Sequence, residues 1–348
     1  MSAGVAEARG APQATSVASL VSLRGVRLRR GDRWVLDGVD LDVARGECVA
    51  VLGPNGAGKS SLLRVLSLVE APTEGAVRWE GLGAGEERLA ARRRVATVAQ
   101  EPYLFAGTAL DNVMEGLRWR CVPRDEAARR AEEALSACGA GGLARRRARE
   151  LSGGEGRRVA IARALALAPA MLLLDESLAH LDEATRGDLL ALLDALPRRG
   201  TAVVLATHDL EDAARLAGRV YGVREGRPDA AGVENFFLGE VREEGGMHWF
   251  AHASGVRVAV ATTRTGRAGA KVEPAEILLS AEPIQSSARN CLAGAVIAVE
   301  TGETVARVRV DVGVVLIADV TPQSAREMGI AAGKKVYATF KATAVRIV

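Results

Sequence analysis

Residues Gly53 to Ser60, GPNGAGKS, follow the pattern G-x-x-x-x-G-K-[ST]. Glycines at that spacing let a loop turn tightly enough for its N–H groups to surround a phosphate chain. The backbone of Gly53, Asn55, Gly56, Ala57, Gly58 and Lys59 is expected to supply those groups, continued into a helix by Ser60 and Ser61. Lys59 adds a point charge for the terminal phosphates, and the Ser60 hydroxyl can ligate Mg²⁺. Further along, MLLLDE (171–176) ends an apolar run in two carboxylates. Asp175 suits the Mg²⁺ shell, and Glu176 suits polarising an attacking water. A third group, LSGGE (151–155), pairs Ser152 with Glu155 in the S-x-x-E capping pattern. Its Gly153 and Gly154 leave the helix N-terminus open to a phosphate, so one domain carries two half-sites.

These groups need a rigid frame. ECVAVLG (47–53), AMLLLDE (170–176) and TAVVLATHD (201–209) are nearly continuous apolar runs that end in turns or polar groups. Such runs suit parallel strands buried on both faces. KSSLLRVLSLV (59–69) and GRRVAIARALAL (156–167) have helical spacing, so the region reads as α/β. After REGRPDAAG (224–232) the segments become short, Val-rich and alternating, as in strands of small β-barrels. One short helix is expected over 321–330, with Thr321 as N-cap and Pro322 at its first position.

At 348 residues, two or three domains are expected. A net charge of +3 argues against a nucleic-acid partner, which needs a concentrated basic face. Arg92 to Arg94 and Arg145 to Arg147 read as solvated helix faces. The four cysteines show no metal or disulfide spacing, and Cys48 reads as a small buried hydrophobe. The longest apolar run, Ala164 to Leu174, is about half the roughly 20 residues of a membrane-spanning helix. Residues 1–18 lack a signal-peptide pattern and read as a disordered lead-in.

From about Leu20 to Arg224 the motif set resembles the nucleotide-binding subunit of ABC transporters. The expected fold class is therefore α/β, a P-loop NTPase (ABC ATPase) domain followed by small all-β OB-like barrels. The resemblance implies ATP and Mg²⁺ as ligands and a head-to-tail homodimer. Each ATP would lie between one copy's P-loop and the other's signature, at Ser152 and Gly154. Gln100 in VAQEPYLFAGT matches the Q-loop residue, which senses Mg²⁺ and contacts membrane subunits. SLAHLD (177–182) matches the D-loop, and His208 matches the switch histidine near the γ-phosphate. By the same resemblance Lys59, Gln100, Glu176 and His208 carry catalysis, and Ser60, Gln100 and Asp175 hold the metal. The implied partners are integral membrane permease subunits and, indirectly, a periplasmic or extracellular solute-binding protein, with the chain on the cytoplasmic face of the membrane. Two departures are visible. The signature has Glu155 where Gln is commoner, and Arg30 stands where the family places an adenine-stacking aromatic. Arg30 could stack its guanidinium, or Trp34 could swing in; Trp34 reads equally well as a half-buried strand residue.

The tail, Ser286 to Val348, resembles the molybdate-binding (Mop/TOBE-like) domain family through SARN-x-L-x-G-x-V, the Thr321–Ile330 helix and K-x-V-Y-A-x-x-K-A. A tetrahedral oxyanion accepts hydrogen bonds and donates none, so its site needs donors and compensating charge. Ser287, the amides near Ala288 and Arg289, and Lys341 could supply them. Alternatively, Ser287 and Asn290 form a turn before a strand and Lys341 is a surface residue. The expected divisions are 1–18, 19–229 for the ATPase, 230–284 for an accessory barrel and 285–348 for the Mop/TOBE-like part. The expected function is ATP-driven import of molybdate or tungstate, with either anion as a regulatory ligand of the tail. The alternative is import of sulfate, sugar or polyamine with a purely structural tail. His248 and His252, without carboxylate or Cys company, read as surface residues.

Overall fold

The computed structural model describes residues 19–81, 88–178, 182–229 and 234–348. The expected lead-in at 1–18, the middle of SLAHLD and the junction at 230–233 lie outside the described residues. Strands β1 (Ser19–Arg30) and β2 (Arg33–Ala44) pair antiparallel, and β1 pairs in the same sense with β4 (Glu74–Trp79). A second sheet holds β3 (Cys48–Leu52), β5 (Val95–Val98), β6 (Met171–Asp175), β7 (Ala202–Thr207), β8 (Arg219–Arg224) and β9 (Arg227–Asp229). Its order is β5-β6-β7-β3-β8-β9, parallel except for β9. The helices are α1 (Lys59–Leu66), α2 (Arg88–Arg93), α3 (Ala109–Trp119), α4 (Arg124–Ala137), α5 (Gly153–Ala166), α6 (Glu183–Ala195) and α7 (Leu210–Leu216).

The apolar runs read as doubly buried strands are buried along their length: every residue of β3 and β7 is, as is β6 up to Leu174. One face of this sheet packs with α1 against the β1–β2 sheet, and the other packs against α3 to α7. Cys48 lies within the core, where burial pushes its thiol up to about 12. Arg145 to Arg147 differ from expectation: they lie not in a helix but in a turn and bend whose backbone pairs with Thr108 and Ala109, and Arg146 reaches to Glu155 at the start of α5.

The tail contains β10 (Phe236–Glu244), β11 (Met247–His252), β12 (Arg257–Val260), β13 (Gly266–Val272) and β14 (Leu278–Ser280). It continues with β15 (Asn290–Thr301), β16 (Ala306–Asp311), β17 (Val315–Val320), α8 (Pro322–Glu327), β18 (Lys335–Phe340) and β19 (Val345–Ile347). Thr321 caps α8 with Pro322 at its first position, as the sequence predicts. The two five-stranded sheets have the same plan, β12-β11-β10-β13-β19 and β17-β16-β15-β18-β14. Both repeats begin N-x-x-x-G-x-V, at Asn235 and Asn290. In the two repeats Gly239 and Gly294 sit where a Cβ would come within 2.4 Å of a carbonyl on the adjacent strand.

The closing strands are exchanged. Strand β14 of the first repeat pairs with β18, and β19 of the second pairs with β13. The expected accessory barrel (230–284) and Mop/TOBE-like part (285–348) thus share one hydrophobic core and interleave across residue 284, rather than packing as separate barrels. Two asparagines lock the exchange. Asn235 Nδ2 donates to the Ile317 carbonyl at 2.8 Å while its Oδ1 accepts from the Ile317 N–H at 2.7 Å. Asn290 makes the same pair of bonds to Ala259, at 3.0 and 2.7 Å. Phe236 and Val348 extend into the core of the N-terminal α/β domain and seat the tail there.

Candidate active site

The P-loop joins the end of β3 to α1. A Cβ at Gly53 would lie 2.2 Å from the Val223 carbonyl, and Gly58 takes φ 107° against the Val35 carbonyl. Only glycine fits both positions. Helices α3, α5, α6, α7 and α8 each have a side-chain cap at the N-terminus, whereas α1, like α4, has none; α1 begins at the P-loop. Its first N–H groups stay directed into the loop, the arrangement that receives an anion. Within the loop Lys59 is buried, donating to the carbonyls of Gly53 at 2.8 Å and Pro54 at 3.3 Å. Asn55 and Gly56 are exposed at its rim, Ala57 is packed beneath it, and Ser60 and Ser61 open α1.

The ends of β6 and β7 bring the second group in. Asp175 pairs in register with Ala206, so Glu176 and His208 lie side by side. His208 Nδ1 is 2.7 Å from Glu176 Oε2, and Glu176 Oε1 is 3.4 Å from Lys59 Nζ. That last distance permits charge attraction, but Oε1 has no hydrogen-bond partner. Glu176 also adopts φ 49°, a left-handed conformation that costs a non-glycine residue of order 1–3 kcal/mol. Its N–H is tied to the Ala206 carbonyl, so the sheet supports the strained residue.

Burial pushes the Asp175 carboxyl above its ordinary range, and the neighbouring Glu176 charge adds to this. The Ser60 hydroxyl, which bonds to Asp175, and the Lys59 charge pull it back. Asp175 Oδ1 is buried without a partner. A half-buried carboxylate with an orphaned oxygen, joined to a serine hydroxyl, is a donor set that fits Mg²⁺, a hard cation served by oxygen ligands. Gln100 is exposed two residues beyond β5, the strand beside β6, and its carbonyl accepts from Arg157 at 3.1 Å.

Ser152 and Glu155 close the capping box in both directions, at 2.8 and 3.3 Å. Gly154 lies in the first turn of α5, a helix that packs with α3 and α4 apart from the P-loop strand. Trp34 stands on β2 with the guanidinium of Arg27 4.5 Å and that of Arg29 5.8 Å from its ring centre. Arg30 is paired with Glu70 at 2.7 Å.

The family model described as ABC transporter matches residues 36–179, and that described as TOBE domain matches 286–347. The molybdate/tungstate import ATP-binding protein WtpC of Pyrococcus abyssi is 33% identical over 326 residues, 89% of this chain and 94% of that protein. The chain belongs to the ABC transporter ATP-binding proteins. It is an ATP hydrolase of that family. The glutamine transport ATP-binding protein GlnQ of Escherichia coli is 39% identical over 60% of this chain and 89% of its own length. Among solved structures, a dimeric ATP-binding cassette in a post-hydrolysis state with ADP and Pi superposes with a TM-score of 0.56. It is 32% identical and covers 60% of this chain and 96% of that one.

Several residues escaped the sequence reading. Arg146 bonds to Glu155 at 2.6 Å and to the Glu150 carbonyl at 2.6 Å, which holds the signature turn against the preceding segment. Arg186 on α6 bridges Asp209 and Asp212, and Asp209 follows His208 and caps α7. Neither belongs to a short motif; each meets its partner only through folding. In the tail, Ser287, Arg289 and Lys341 are exposed, while the Ala288 N–H is already used by the Ser286 hydroxyl at 3.2 Å. His252 is half-buried against Phe237 and bonded to Ser254.

Proposed function

We propose that the chain is the ATP-hydrolysing subunit of a molybdate or tungstate importer, with a tail that senses the same oxyanions. One observation carries this reading. The relative named for molybdate/tungstate import aligns over 89% of this chain, tail included, whereas the relative named for glutamine transport aligns over 60% of it. The dimeric cassette supports a homodimer in which Ser152 and Gly154 of one copy complete the P-loop site of the other. Among the described residues no helix is long and apolar enough to cross a membrane; the reading gives the membrane path to separate permease subunits. That assembly would sit on the cytoplasmic face, fed by a solute-binding protein on the other side.

In this reading the backbone around Gly53 to Gly58 wraps the ATP phosphates, and Lys59 exchanges the Gly53 and Pro54 carbonyls for phosphate oxygens. Ser60, Asp175 and Gln100 would hold Mg²⁺, which neutralises charge on the phosphate oxygens when bound. Glu176 accepts a proton from the attacking water as its oxygen bonds to the terminal phosphorus and the bond to ADP breaks. His208 with its proton on Nδ1 donates to Glu176 Oε2 and fixes the carboxylate, leaving Oε1 toward the site. Trp34 would stack on adenine.

The test is calorimetric titration of the chain with molybdate and with tungstate, together with ATP turnover by the chain assembled with its permease in the presence and absence of each anion. The expected result is binding of the oxyanion to the chain and a drop in turnover. Binding without a drop overturns the feedback. Binding of neither anion overturns sensing and favours sulfate, sugar or polyamine as cargo.

A further inference from the structure

The tail repeat is symmetric in backbone but not in charge. In the second repeat Asn290 opposes Phe340, so the next residues outward on the paired strands are Arg289 and Lys341. In the first repeat Asn235 accepts from the Val272 N–H, so the matching residues are Glu234 and Glu273. The turns agree as well: Lys341 and Glu273 each precede a 3₁₀ turn, Ala342–Ala344 and Pro274–Glu276. One strand end therefore carries two cations where its counterpart carries two carboxylates.

Their surroundings differ in the same sense. Arg289 and Lys341 are both exposed, and neither has an ion-pair partner among the described residues. Glu234 is held by Arg224 of β8 at 3.0 Å and by Arg307 of β16 at 3.4 Å, and Arg307 continues to Asp319 of β17 at 3.1 Å. Glu273 is paired with Lys271 at 2.6 Å. An oxyanion needs donors and positive charge, and a carboxylate offers neither.

We propose that only the Arg289–Lys341 strand end takes an oxyanion, and that the Glu234–Glu273 end is closed to anions, with Glu234 fastening the tail to the ATPase sheet. This rests on the oxyanion reading of the tail and adds its stoichiometry and polarity. The fastening makes chemical sense of the inversion: Glu234 bridges an arginine of the ATPase domain and one of the second repeat, a role that a cation there could not fill.

The test is calorimetric titration of the full chain with sodium molybdate. No more than one molybdate per chain is expected, with affinity falling at least tenfold in Arg289→Glu and in Lys341→Glu. Both side chains are exposed, and circular dichroism checks that the variants fold. The matching reversal at the other end, Glu273→Lys, should leave affinity within twofold. Two molybdates per chain, or binding indifferent to both reversals at 289 and 341, would overturn this inference while leaving oxyanion sensing intact. A tenfold change in Glu273→Lys would do the same. No binding at all would overturn the oxyanion reading, and this inference with it.

Discussion

Replacing Asn235 by alanine should loosen the joint between the two tail repeats by an amount that the clamp geometry sets. Asn235 is fully buried and makes two hydrogen bonds to one residue, accepting the Ile317 N–H and donating to the Ile317 carbonyl. Alanine removes both partners at once and leaves the buried Ile317 backbone without them. Each orphaned group costs about 1–3 kcal/mol. Together the loss is about 2–5 kcal/mol, allowing for some relaxation. Since about 1.4 kcal/mol is a factor of ten, amides of β16 and β17 should exchange with solvent roughly 30- to 3,000-fold faster. The assay is hydrogen exchange on the full chain, read by mass spectrometry over peptides covering 306–320. Asn290→Ala should produce the same effect over 257–260, because its bonds to Ala259 have the same form and burial. An exchange rate changed less than threefold in both variants would refute the clamp as a source of stability.

Three further outcomes follow from the ATPase part. Glu176→Gln should lower kcat about 10²- to 10⁴-fold with little change in KM for ATP, in steady-state phosphate release; unchanged kcat would remove Glu176 as the base. Trp34→Ala should weaken ATP binding by about 1–3 kcal/mol if the ring stacks on adenine, while Arg30→Ala should not, since Arg30 is held by Glu70. The reverse ranking in fluorescent-nucleotide titrations would return the role to Arg30. Burial, with the Asp209 charge beside it, pushes the Asp212 carboxyl up to about 6, and Arg186 offsets this only in part. Between the ordinary carboxylate range and pH 6 the folded chain keeps a proton that the unfolded chain has released, so this group's stabilising contribution falls as pH rises through that window. Asp212→Asn should flatten that part of the stability–pH curve, and denaturant curves from pH 4 to 7 that match the parent would refute it.

What the sequence determines by itself is local. A P-loop is legible because its glycines must meet conformational demands within eight residues, as Gly53 and Gly58 do. The Ser152–Glu155 box and the Thr321 cap are contacts three residues apart, and the buried runs of β3, β6 and β7 carry their burial in their composition. The resemblance of the tail came from the same kind of short pattern. Only the tertiary structure decides the rest, because the partners are far apart in the chain. Short Val-rich strands of similar length can pair in several ways, and nothing within β14 or β19 says that each must close the other repeat's sheet. Asn290 read as part of a turn becomes a clamp only when Ala259 is brought opposite it. Arg289 and Lys341 become a pair only when β15 aligns with β18, and Glu234 becomes their negative counterpart only when the repeats are superposed.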